Sequence, residues 1–282
     1  MHYPLPSWVY ESVVYQIFPD RFAIGNGKNV YDKAHLYTKR GGKVVDWNTL
    51  PKHKSNIEHC FEFWGGDLWG ITEKLEYIND LGANLIYTTP IFLSPSNHKY
   101  DTVDYMKVDP QFGGQRAFIH YLKRTKEQGF RIMLDGVFNH LSKENKWFQN
   151  ALKGKRKHLA KFAIYENGYR AWHNVPDMPE WNWEETSVRE YLLSVVEYYL
   201  RLGIDGWRLD VGFDVGYVNN AIITSRAKSV SIEKYIVTET WNFPSNWEVV
   251  DGIMNYHFRE SVISWLKGDL ENLGSALQDA YD

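Results

Sequence analysis

Arg208 and Asp210 lie two positions apart in the short apolar stretch Gly206–Trp207–Arg208–Leu209–Asp210–Val211. In a strand, residues i and i+2 share a face, so both side chains point the same way. A guanidinium at that distance supplies fixed, charge-assisted hydrogen bonds to a buried carboxylate. Such a pair keeps an aspartate ionised and aimed, as a nucleophile must be; the plainer alternative is an ordinary ion pair at a strand end. A second carboxyl, Glu239, follows the apolar run Tyr235–Thr238 and precedes Trp241. A glutamate against an aromatic wall has its proton affinity raised and holds a proton near neutrality. An ionised Asp with a protonated Glu is what retaining glycoside hydrolysis requires, with the carboxyls roughly 5–5.5 Å apart. A third apolar run delivers Asp135, Asn139 and His140. His98, His140, Asp135 and Asp210 would suit a divalent metal by residue type, but no HxxxH or CxxC spacing supports one.

These groups must be positioned by strands. Val13–Phe18, Ala83–Thr88, Phe130–Asp135, Gly206–Val211 and Tyr235–Thr238 read as buried strands, with Gly252–Tyr256 a sixth. Between them, helical spacing marks 71–81, 118–128 and 188–202, each followed by a glycine, and 225–234. Segments 261–266 and 270–281 read as helical, and 23–59 as a polar loop. Strands alternating with helices imply parallel βαβ units, and in such folds chemistry sits at the carboxyl ends of strands. No glycine-rich phosphate loop follows any strand, which weakens a nucleotide-binding reading. Residues 139–185 break the rhythm and read as an insertion.

The 282 residues are 44% hydrophobic and 24% charged, with net charge −3 and no basic tract, which argues against nucleic acid or an anionic membrane as partner. No apolar run reaches membrane-spanning length and no signal peptide is visible, so a cytoplasmic location is expected. Much of the aromatic content must be core, but 12 Trp and 19 Tyr also suit stacking on the apolar faces of sugar rings. The single cysteine, Cys60, excludes an intrachain disulfide.

The motifs resemble the α-amylase superfamily, glycoside hydrolase family 13, and within it the neopullulanase, cyclomaltodextrinase and maltogenic amylase group. Asp135–His140, Gly206–Asp210 and Thr238–Trp241 match three conserved regions in order. Asn97–Asp101, Met178–Asn182, Phe18–Phe22, Gly65–Asp67 and Met254–Tyr256 also fit that group. The resemblance implies an α/β fold, a (β/α)8 TIM-type barrel. It is expected to be incomplete, with about six βα units: strands 1–3 in residues 1–138, a small domain B at 139–185, and strands 4–6 in 186–282. It implies Asp210 as nucleophile, Glu239 as general acid/base and Arg208 as the residue orienting Asp210. His98, Tyr100, His140, Asp135 and Trp241 would bind substrate, a maltooligosaccharide, cyclodextrin or pullulan cleaved at α-1,4 or α-1,6 bonds.

Three departures from the family pattern stand out. The third carboxylate, an Asp preceded by His after strand seven, has no counterpart, since no His–Asp dipeptide occurs. Strands seven and eight and the flanking β-domains are thus expected to be missing, leaving a homodimer or a second chain to complete the barrel. The competing reading is a truncated, non-catalytic α-glucan-binding relative or inactive fragment; isomerisation of trehalose- or sucrose-like disaccharides is opposed by the Met178–Asn182 stretch. Finally, no cofactor is required, and the calcium site usual after strand one looks degraded at Ile24–Val30, with Asn26, Asn29, Asp67 and Asn139 as the remaining ligand candidates.

Overall fold

The computed structural model describes residues 3–39, 41–51, 57–166, 168–241 and 244–268, together with Gly274 and Leu277. Six parallel strands form one sheet in sequence order: β1 (Val14–Ile17), β2 (Leu85–Thr88), β3 (Arg131–Gly136), β4 (Gly206–Leu209), β5 (Tyr235–Thr238) and β6 (Gly252–Ile253). The order and direction make this the incomplete (β/α)8 barrel expected, with β1 and β6 as its two edges among the described residues.

Alternation sorts the strand side chains. Ile86, Ile132, Leu134, Trp207, Leu209 and Ile236 join the large core beneath the helices. Leu85, Tyr87, Met133 and Val237 form a smaller cluster on the opposite, inner face of the sheet. Asp135 and Arg208 continue that inner face by the same period of two.

Outside the loop after β1 and the segment 139–185, the α-helices among the described residues are α1 (Leu68–Glu73), α2 (Leu75–Asp80), α3 (Gly114–Glu127), α4 (Thr186–Leu202), α5 (Gly212–Val215), α6 (Tyr217–Val230) and α7 (Tyr256–Leu266). In α4, Val188, Leu192, Val195, Val196 and Tyr199 bury one stripe at three- and four-residue spacing. Gly203, with φ 119°, then ends the helix in a conformation other residues adopt at a cost.

Several expected boundaries move. The helix read over 71–81 is two helices meeting at Lys74, whose φ and ψ of −105° and 14° leave the α region. The helix read over 225–234 is α6, starting at Tyr217 and ending at Val230. The helix read over 261–266 begins five residues earlier, because Asn255 caps it by accepting from Phe258 N. The stretch 23–59 is not all loop: it holds the helix Ala34–Thr38 and the strand Lys43–Val44, paired with Glu62–Phe63. Most of the helix read over 270–281 lies outside the described residues.

Between β3 and α4 lie helices Lys146–Leu152 and Arg156–Leu159 and a hairpin joining Ile164–Tyr165 to Gly168–Tyr169. Phe148, Phe162 and Trp181 pack there, ring on ring. A bridge from His140 to Glu180 ties this segment back to the stretch after β3, and one from Ala171 to Pro179 closes it internally.

Candidate active site

Register brings the charged groups together. Arg208 on β4 pairs with Asp135 on β3 and Val237 on β5; one step further, Asp210 and Glu239 follow the pair Leu209–Thr238. The guanidinium of Arg208 reaches three carboxylates. Its Nη1 donates to Asp135 Oδ1 at 2.9 Å and to Asp210 Oδ1 at 2.8 Å, and its Nη2 lies 2.8 Å from Glu239 Oε2. Arg208, Asp135 and Asp210 are all buried, so these are charge-assisted bonds in a low dielectric.

Asp135 also accepts from the hydroxyls of Tyr87, at 2.5 Å, and Tyr100, at 3.0 Å. Both its oxygens are thus taken, and it lies behind Arg208 instead of lining the cleft as a substrate-binding group. Burial, and after it the Asp135 charge, raise the phenol pKa of Tyr87 and Tyr100, fixing both as donors. Burial opposes the charge on Arg208, but the surrounding carboxylates, Asp135 foremost, hold it above its ordinary range.

Burial pushes the Asp210 carboxyl well above the usual carboxylate range; Asp135 and Glu239 push the same way, against Arg208. Burial and the neighbouring carboxyls thus work against the ionised form that Arg208 favours. One guanidinium faces three carboxyls, so the ionised cluster carries more negative than positive charge.

Glu239 is held by polar donors, not by an aromatic wall. Besides Arg208, Val211 N donates to its Oε2 at 3.0 Å and the Tyr256 hydroxyl to its Oε1 at 2.9 Å. Trp241 is 72% exposed and stacks on Tyr256 with ring centroids 4.2 Å apart. The Val211 amide reaches Glu239 from a strained backbone, φ 40° and ψ 48°, a region costly for a β-branched residue. Gly212 follows because a Cβ there would meet Thr238 Oγ1 at 1.7 Å.

The carboxylates open on a cleft of about 370 Å³ lined by Asp210, Glu239, Arg208, His98, Tyr100 and His140, with Trp172, Met178 and Val211. A second cleft of about 550 Å³ shares Trp172, Val211 and Glu239 and adds His173, Phe213, Asp214 and Trp241. Burial lowers the pKa of His98 and, with His98 nearby, pushes His140 down to about 3, so both imidazoles are neutral at pH 7. His140 Nε2 and Trp172 Nε1 are buried polar atoms with no protein partner, and the two rings stack 5.2 Å apart.

Each metal candidate has a hydrogen-bond partner within the protein. Asp67 accepts from Gly25 N, Gly70 N and Lys33 Nζ. Asn29 Oδ1 accepts from the amides of Tyr31 and Asp32, and the Asn26 amide donates to Glu73. Asn139 lies at the end of β3 against His140. Among the described residues no three His, Cys, Asp or Glu side chains are grouped to hold a metal ion, and the side-chain oxygens of Asp67 and Asn29 Oδ1 already accept from N–H donors.

Tyr87, Tyr256 and Trp172 join the site without having been expected there from the sequence. For Tyr87 the signal was available, since alternation in β2 places it two residues from Leu85 on the inner face.

Acidic and basic groups gathered at the carboxyl ends of parallel strands place this protein in the class of α/β-barrel proteins with a site at that face. The family model described as the catalytic domain of alpha amylase matches residues 16–264, and the chain belongs to that family. It is 37% identical over 272 residues to neopullulanase 2 of Thermoactinomyces vulgaris, covering 92% of this chain and 44% of that protein. The intracellular maltogenic amylase of Bacillus subtilis strain 168 is 37% identical over 271 residues, covering 92% and 43%. Among solved structures, the type III pullulan hydrolase from Thermococcus kodakarensis superposes with TM-score 0.90 at 28% identity, over 99% of this chain and 53% of that one. The cyclic alpha-maltosyl-(1→6)-maltose hydrolase from Arthrobacter globiformis gives 0.85 at 31% identity, over 97% and 62%. The chain thus spans less than half the length of these two curated relatives.

Proposed function

We propose that the cleft cleaves α-glucosidic bonds with retention, by hydrolysis or transfer to a sugar acceptor. The observation that carries this is a single guanidinium, Arg208, bonded at once to Asp210 and Glu239 on adjacent strands. In the first half-reaction the Asp210 carboxylate attacks the anomeric carbon as the glycosidic C–O bond breaks. Glu239 gives its proton to the departing oxygen. In the second, Glu239 takes a proton from water or an acceptor hydroxyl, whose oxygen displaces Asp210. The step needs the proton on Glu239 and the negative charge on Asp210, to which Arg208 donates.

His98, Tyr100, His140 and Trp172 form the wall that would hold the ring under attack, and the unpaired His140 Nε2 suits a sugar hydroxyl. Trp241, with Phe213, would stack on the acceptor side. Maltooligosaccharides, cyclodextrins or pullulan are the proposed substrates, from the names of the relatives, with no cofactor and no calcium required. A cytoplasmic location is proposed from the relative named as intracellular and from the lack of any helix among the described residues long and apolar enough to cross a membrane.

Among the described residues β1 and β6 are the edges of the sheet, and this favours a second reading. In it the isolated chain binds α-glucan without turnover until a second copy or another polypeptide covers those edges. Release of 4-nitrophenol from its α-maltoside, compared with maltoheptaose binding by calorimetry, separates the two. Turnover abolished by Asp210→Asn supports the enzyme; binding without turnover supports the alternative; neither contradicts both.

A further inference from the structure

Lys33 is a buried cation with no part in the cleft. Its side chain is 7% exposed, and its Nζ donates to the carbonyl of Gly65 at 2.7 Å and to Asp67 Oδ2 at 2.8 Å. A neutral carbonyl and a carboxylate are oxygen ligands of the kind a hard metal ion takes, and here both are held by an ammonium. The other oxygen of Asp67 is equally committed, accepting from Gly70 N at 2.8 Å and Gly25 N at 3.2 Å. Asp20, buried beside this group, accepts from Trp64 N, Gly65 N and Arg21 Nε. Loop 19–33 is thereby tied to the 64–67 turn through bonds that all end on protein donors.

The ammonium also has a shaped seat. It lies 5.9 Å from the ring of Tyr37, which stacks on Phe63 at 4.7 Å. Val30, Tyr37 and Phe63 form a small apolar cluster of their own that excludes water from the pair. In that setting, removing one partner leaves the other charged and unpaired, which is far more costly than losing a surface ion pair.

We propose that the Lys33 ammonium serves as an internal cation between Gly65 and Asp67, taking the place of a divalent metal, so that this chain binds no calcium at the loop after β1. Closure of this loop is independent of carbohydrate cleavage and is read by binding and unfolding.

The test titrates the full 282-residue chain, stripped with EDTA, with calcium chloride by isothermal calorimetry. Thermal unfolding is then followed in EDTA and in a saturating excess of calcium chloride. The expectation is no saturable heat and the same Tm in both buffers. A calcium ion at a hundred-fold excess over its Kd would instead raise Tm by roughly 5–10 °C, and that result overturns the proposal. In EDTA, Lys33→Met is expected to melt several degrees lower and Lys33→Arg closer to the parent. A Lys33→Met chain melting with the parent also overturns it. Should that variant not fold, the parent's own calcium titration still decides.

Discussion

Arg208 and Asp135 occupy the same register position on neighbouring strands, with Nη1 of one 2.9 Å from Oδ1 of the other. Asp135 is the fixed support of the guanidinium, and the guanidinium in turn fixes Asp210 and Glu239.

Asp135→Ala removes that support and leaves Arg208 without its most buried partner. A loss of stability on the order of 3–5 kcal/mol is expected from breaking a buried ion pair. A fall of about 10²–10³ in kcat is expected from the misplaced carboxyls. Urea unfolding and maltoside kinetics check the two, and an Asp135→Ala chain with parental kcat contradicts the arrangement.

Asp210→Asn should abolish turnover yet stabilise the fold at neutral pH. The Asp210 carboxyl is raised in the folded state, chiefly by burial, so its ionisation there is unfavourable. Its stabilising contribution is present below the unfolded pKa of about 3.9 and is lost as pH rises through the folded value. Replacing it with a neutral amide removes that cost at pH 7 and makes little difference below about pH 4. Tm of parent and variant across this range reads the effect directly; a gap that widens on acidification contradicts it.

His140 carries the opposite sign. Its pKa is pushed down to about 3, below the unfolded value of about 6.5. The unfolded chain therefore binds the extra proton between those values. Its contribution to stability falls by about 1.4 kcal/mol for each pH unit below about 6.5. His140→Gln should flatten that component of the pH profile. An unchanged slope in the variant between roughly pH 6.5 and 4.5 rules out a buried neutral imidazole.

Lys99 lies between two cleft residues, His98 and Tyr100, yet its own side chain is fully buried. Its Nζ pairs with Asp109 Oδ2 at 2.9 Å, and its backbone has φ 66°. Lys99→Met should therefore raise KM for maltooligosaccharides about ten-fold, with a smaller change in kcat, as the loop loses its anchor. Equal falls in kcat and kcat/KM would point instead to a role in the transition state.

The barrel strands, and the arrival of Asp135, Arg208, Asp210 and Glu239 at their carboxyl ends, were legible because several short apolar runs each end in charged residues. The i, i+2 relation of Arg208 and Asp210 needed only strand periodicity, and the structure gives both side chains one ion pair. The protonation balance was not legible, since it depends on Asp135 and Glu239 arriving from neighbouring strands in register. Nor was the bed of Glu239, made by a strained Val211 amide and a tyrosine from the first turn of α7. Loop 23–59 hid its order for a related reason: Lys33 reads as a surface charge until Asp67, 34 residues away, is placed against it.

A retaining cleft requires Asp210 to form a covalent bond to sugar. Incubating Glu239→Gln with 5-fluoro-α-maltosyl fluoride, followed by peptide mass spectrometry, tests this most directly. The predicted result is a fluoromaltosyl adduct on the peptide carrying Asp210, absent in the Asp210→Asn, Glu239→Gln double variant. An adduct on any other carboxylate, or one that survives loss of Asp210, contradicts it.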